Sequence, residues 1–103
     1  EFNWPNVKII KSDILKISNK EIVKYLGSRK YKLIANLPYQ ITSEVIAKFL
    51  KEDPRPSRII IMVQREVGER MLEGAPHTNL LALMVELYSD AKKLFRVSKN
   101  SFY

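Results

Sequence analysis

The run "RIIIMVQ" at residues 58–64 limits what this chain can fold into more than any other feature. An apolar stretch with no polar interruption suits a strand in the middle of a sheet, covered on both faces. A second strand-like run, "YKLIA" at residues 31–35, precedes it. Between them Val45, Ile46, Phe49 and Leu50 recur at the spacing of a helical stripe. The segment "EDPRPS" then ends that helix, because each proline removes a backbone donor and restricts the residue before it. Strand, helix and strand in alternation imply an α/β architecture: a mostly parallel sheet with helices on both faces. Ligands of such sheets collect at the carboxyl ends of the strands.

The flanks extend the alternation. "VKII" at residues 7–10 is β-branched and predicts a strand, with Ser12 and Asp13 at its end. Ser18-Asn19-Lys20-Glu21 is a capping-box pattern. Ile22, Val23 and Leu26 follow on one helical face, and Gly27 is a helix stop. Thr42 or Ser43 is placed to cap the central helix. A third helix is expected over 65–73, with Val67, Met71 and Leu72 inward and Glu66, Glu69, Arg70 and Glu73 outward. "GAPHTN" predicts a loop and "LLALM" a short helix. Beyond it Val85, Leu87, Ala91, Phe95 and Val97 share one parity, which predicts a long, half-exposed strand.

Composition narrows the function classes. The 103 residues suffice for one small domain. Cysteine is absent, which excludes disulfides and thiolate metal sites and fits a reducing, cytoplasmic location. The single histidine, His77, argues against a zinc site, and no metal is expected. No run reaches the roughly 18 apolar residues of a membrane span, and no basic-then-apolar signal opens the chain. Lysine and arginine number 18 against 11 acidic residues, a formal net charge of +7. That balance favours a polyanionic partner, most often nucleic acid. The basic residues are scattered along the chain, so they equally describe an ordinary solvated surface.

The candidate site is "NLPYQIT" at residues 36–42, directly behind the strand "YKLIA". Proline ends the strand and leaves Asn36 and Tyr39 at its tip. The Asn36 side-chain carbonyl and the Leu37 carbonyl are acceptors. Pro38 fixes φ near −65° and lacks an N–H, so the turn can aim both oxygens one way. Tyr39 offers a flat aromatic face. Two acceptors beside a stacking platform suit a planar base with an exocyclic amine, such as adenine. Accepting both amine hydrogens frees a delocalised lone pair for attack, and the ring tolerates the charge that develops. The catalytic help is then orientation and preorganisation. The plainer reading is a strand-to-helix turn in which Asn36 bonds the local backbone and Tyr39 covers a core edge.

The stretches "KLIANLPYQITSEVIAKFL", "IIIMVQREVGERML" and "FRVSKNSFY" together resemble the ribosomal RNA adenine dimethyltransferases, relatives of the erythromycin-resistance rRNA methyltransferases. The resemblance runs over nearly the whole chain. It implies a partial Rossmann-like domain that uses S-adenosylmethionine to dimethylate the 6-amino group of adenines in small-subunit rRNA. By that resemblance Asn36, Leu37, Pro38 and Tyr39 hold and stack the target base. Phe102 is the second stacking aromatic. Asp13, Ile14 and Asn36 contact the cofactor. The family's glycine-rich cofactor loop has no counterpart among Gly27, Gly68 and Gly74, the three glycines here. Its small C-terminal helical domain has none either. The expectation is therefore the second half of a class I catalytic domain, residues 1–103, inactive by itself. Where the family often reads Tyr-Gly-x-Leu-Ser, this chain reads His77-Thr78-Asn79-Leu80-Leu81.

Other residues carry two readings each. Gln64, Arg65 and Glu66 line the site or an RNA groove, or are merely a strand end and a charged helix start. His77 suits an exposed loop, Trp4 a packing role and Phe49 the core. Two other functions fit the same signals. One is a non-catalytic nucleic-acid-binding module of the same fold. The other is an amino-methyltransferase acting on DNA or on protein glutamine.

Overall fold

A computed structural model describes residues 5–74 and 79–97. Trp4, His77 and Phe102 lie outside the described residues. Helix α1, Asn19–Leu26, opens with both halves of the capping box and closes on Gly27, whose φ of 72° is the left-handed conformation that glycine adopts freely. Strand β1 spans Lys32–Asn36 and strand β2 spans Arg58–Met62. They pair in parallel, Lys32 opposite Arg58 through Asn36 opposite Met62. Helix α2, Thr42–Lys51, makes the crossover between them after a single 3₁₀ turn, Tyr39–Ile41. Helices α3, Arg65–Met71, and α4, Leu80–Tyr88, follow.

The core lies between the sheet and α2, α3 and α4. Ile46 and Leu50 of α2 meet Val67 of α3 and Leu81 and Val85 of α4, with Ile59 and Ile61 of β2 and Val63 just beyond it packed against them. Val45 and Phe49, from the predicted stripe, are also buried. Each such side chain contributes about 1.5–3 kcal/mol when taken from water.

Four expectations need correction. Residues 7–10 form no strand; Val7, Ile9 and Ile10 are exposed, and among the described residues no strand lies beside them to complete a ladder. Val85 and Leu87 belong to α4, and residues 89–97 take no regular structure. The period-two pattern there competes with Leu81, Ala82 and Val85, whose helical spacing buries them. Leu72 is exposed, one residue past the end of α3. Finally, the strands are not covered on both faces. Successive side chains alternate, and Ile34 and Ile60, which face each other across the ladder, are 75% and 42% exposed. Among the described residues the helical cover is on the other side.

Candidate functional site

The sequence "NLPYQIT" folds as a pinned turn at the carboxyl end of β1. The Leu37 N–H donates to the Met62 carbonyl at 3.1 Å, which carries the parallel ladder one bond beyond the strand. Pro38 sits at φ −62° and ψ 145°, extended and unable to continue a helix backward. Its carbonyl accepts from the Ile41 N–H at 3.3 Å and from the Thr42 hydroxyl at 2.7 Å. The Thr42 N–H donates to the Tyr39 carbonyl, closing the 3₁₀ turn. Thr42 was expected only as a possible helix cap. It is instead the first residue of α2, and its hydroxyl reaches back into the turn.

These bonds use some acceptors and leave others open. Among the described residues neither the Asn36 side chain nor the Leu37 carbonyl is engaged in a hydrogen bond. The Asn36 side chain is exposed, which disfavours the plainer reading of a local backbone bond. Tyr39 is 51% exposed, so its ring is not committed to a core edge. Leu37 itself is half-buried and packs against the core, so its side chain anchors the turn while its carbonyl stays open.

Asp13 stands in a separate turn. Its carboxylate accepts from the Leu15 N–H at 2.9 Å, and its backbone carbonyl accepts from Lys16 and Ile17. One carboxylate oxygen is thus tied locally, and among the described residues the other accepts no hydrogen bond, an acceptor suited to an amine donor such as that of a purine. Ile14 is half-buried beside it. No hydrogen bond joins Asp13 to Asn36 among the described residues. Two open concavities, of about 440 and about 340 Å³, are lined by neither of them.

Gln64, Arg65 and Glu66 are exposed where β2 passes into α3, two residues beyond the Met62 that supports the turn. Arg65 is paired with Glu69 at 2.8 Å. Sequence reasoning missed a second polar cluster at the opposite end of the strands. There Asn19 Nδ2 donates to the carbonyls of Glu52 and Pro54 at 3.0 and 3.3 Å, and the Tyr31 hydroxyl donates to Pro54 at 2.6 Å. These partners are 23 to 35 residues apart, and no local pattern announces them. The Asn19 N–H bond to the Glu52 carboxylate holds that group below the usual carboxylate range, aided by Lys48. Burial raises the Tyr31 phenol above its ordinary value, and the charges of Glu52 and Asp53 push the same way.

A parallel strand–helix–strand unit with open acceptors and an exposed ring at its carboxyl end defines a protein of the α/β class, in which ligands collect at that end of the sheet. The chain belongs to the ribosomal RNA adenine dimethylase family, whose model matches residues 2–103. It is 43% identical over 101 residues to a ribosomal RNA small subunit methyltransferase A of Dehalococcoides mccartyi, covering 97% of this chain and 34% of that protein. The protein of the same description from Alkaliphilus oremlandii is 40% identical, over 96% of this chain and 36% of its own length. The one from Clostridioides difficile is 37% identical, over 94% and 35%. The chain thus spans about a third of the length of these relatives. No solved structure gives a significant match.

Proposed function

We propose that this chain is the target-base half of an enzyme that dimethylates the 6-amino group of adenines in small-subunit rRNA, in the cytoplasm, using S-adenosylmethionine. The observation that carries the reading is the pair of unengaged acceptors, Asn36 Oδ1 and Leu37 O, beside the exposed Tyr39 ring. In this reading the two oxygens accept the two hydrogens of the adenine amine. That draws the nitrogen toward a pyramidal geometry and directs its lone pair outward. Tyr39 stacks on the base and stabilises the positive charge that builds as the nitrogen attacks. Pro38 keeps the two oxygens convergent. Phe102, outside the described residues, is the second stacking aromatic by family resemblance alone. Asp13 would hold the cofactor's adenine through its free carboxylate oxygen, with Ile14 alongside. S-adenosylmethionine supplies an electrophilic methyl group on a sulfonium centre, and two rounds yield dimethyladenosine. Residues 1–103 by themselves, without the glycine-rich loop, do not transfer methyl groups.

The test is a graft. Residues 1–103 replace the matching segment of the full-length Dehalococcoides mccartyi relative, and methyl transfer to small-subunit rRNA is measured with labelled cofactor. The graft should methylate the 6-amino group of adenine. Asn36→Ala should lower kcat about a thousand-fold while leaving rRNA binding within about two-fold, since the lost contact acts in the transition state. Binding that collapses together with activity would favour a nucleic-acid-binding module. Transfer to duplex DNA or to peptide glutamine in preference to rRNA would replace the substrate class.

A further inference from the structure

The Thr42 hydroxyl has a role that the family reading does not give it. Thr42 is 1% exposed. A threonine at the start of a helix commonly bonds backward to the carbonyl four residues earlier. Here that carbonyl belongs to Pro38, which lies outside the helix and inside the base-holding turn. The bond therefore ties α2 to the turn and adds nothing to the helix itself.

Its consequence follows from the order of the peptide planes. The plane between Asn36 and Leu37 is fixed by the Leu37 N–H bond to Met62. The plane between Pro38 and Tyr39 is fixed by the Thr42 hydroxyl and, at the longer distance of 3.3 Å, by the Ile41 N–H. The plane between these two carries the open Leu37 carbonyl. Proline supplies this plane no N–H, and among the described residues nothing donates to its carbonyl. Its direction is set only by its two neighbours, and one of those is held chiefly by Thr42.

We propose that Thr42 is a positioning residue for methyl transfer: its buried hydroxyl, by fixing the Pro38 carbonyl, aims the Leu37 carbonyl at the target amine. The inference rests on the reading of residues 36–39 as the base-holding turn. Thr42 touches neither base nor cofactor, so its loss should weaken the chemical step and spare rRNA docking. Displacements of the order of an ångström in such a site cost up to about a hundred-fold.

The experiment uses the same full-length graft. Thr42→Val removes the hydroxyl at nearly constant shape, and Thr42→Ser keeps it. Thr42→Val should lower kcat about ten- to a hundred-fold with KM for rRNA unchanged, and Thr42→Ser should stay within about three-fold of the parent. Thr42→Ala, assayed at low temperature where loosened packing matters least, should match valine; it carries the comparison with serine if the valine variant does not fold. Equal kcat for serine and alanine overturns the proposal, as does a rise in KM alone. Asn36→Ala, run alongside, separates the two ideas. If it keeps activity, the base-holding turn itself fails. If it is inactive while Thr42→Val is fully active, only the role of Thr42 fails.

Discussion

The two ends of the β1–β2 ladder are made of similar parts and are finished in opposite ways. At the amino end polar groups close on one another. Tyr31 reaches Pro54, Asn19 reaches Glu52 and Pro54, and Ser57 donates to the Tyr31 carbonyl from its N–H at 2.8 Å and its hydroxyl at 3.1 Å. Asn19 there is 0% exposed. At the carboxyl end the backbone is pinned just as firmly, by Leu37 to Met62 and Thr42 to Pro38, yet among the described residues Asn36 Oδ1 and Leu37 O are left open. Rigid backbone whose polar groups are mostly paired, Asn19 Oδ1 being the exception among the described residues, is scaffold. Rigid backbone with unengaged acceptors is what the proposed site requires, because such acceptors bond water until a donor replaces it.

That contrast can be broken by substitutions at either end. The largest effect belongs to Asn36→Ala: the thousand-fold loss in kcat equals about 4 kcal/mol of transition-state stabilisation, with folding stability changed by less than about 0.5 kcal/mol. Asn19→Ala should do the reverse. Removing Nδ2 leaves the Glu52 carbonyl short of its partner and costs about 1–3 kcal/mol of stability, read as a lower urea midpoint. The figure is moderated because Asn19 Oδ1 is buried with no partner among the described residues, so part of the side chain already carries a desolvation cost. Tyr31→Phe keeps the ring and deletes only the 2.6 Å bond to Pro54, for about 1 kcal/mol.

The smallest effect is the pH dependence of the amino end. Glu52 has a folded value below its ordinary 4.5, so its contribution is complete above that value and fades as pH falls through the lowered one. Tyr31 has a folded value above its ordinary 10.0. Its contribution is complete below 10.0 and fades as pH rises further. Unfolding midpoints should therefore be flat between these limits and fall on both sides. Glu52→Gln should blunt the acid limb, and Tyr31→Phe the alkaline one.

Most of the scaffold was legible because its signals are local. The capping box at Ser18 and Glu21, the stripe of Val45, Ile46, Phe49 and Leu50, and the proline break after α2 all act within a turn or two of chain. The parallel pairing followed from the order of the elements. What failed depended on neighbours. Residues 7–10 and 91–97 have strand-like sequences, but a ladder needs a second strand, and none lies beside them among the described residues. Leu80–Tyr88 is almost wholly apolar, so parity and helical spacing were both present; the helix runs on to Ser89, whose hydroxyl donates to Val85 at 2.6 Å. At the proposed site, the turn of Asn36, Leu37, Pro38 and Tyr39 could be placed from the proline and the strand before it. Thr42 left a weaker trace, a hydroxyl four residues after that proline. The knot around Asn19 left none, since its bonds join distant segments.

The most direct test measures both ends in one experiment: kcat for rRNA methylation and the urea midpoint, for Asn36→Ala and Asn19→Ala in the same graft. The account predicts crossed results, with activity lost and the midpoint unmoved for Asn36→Ala, and the midpoint lowered with kcat kept in the folded fraction for Asn19→Ala. An Asn36→Ala protein that is destabilised yet still methylates would contradict it.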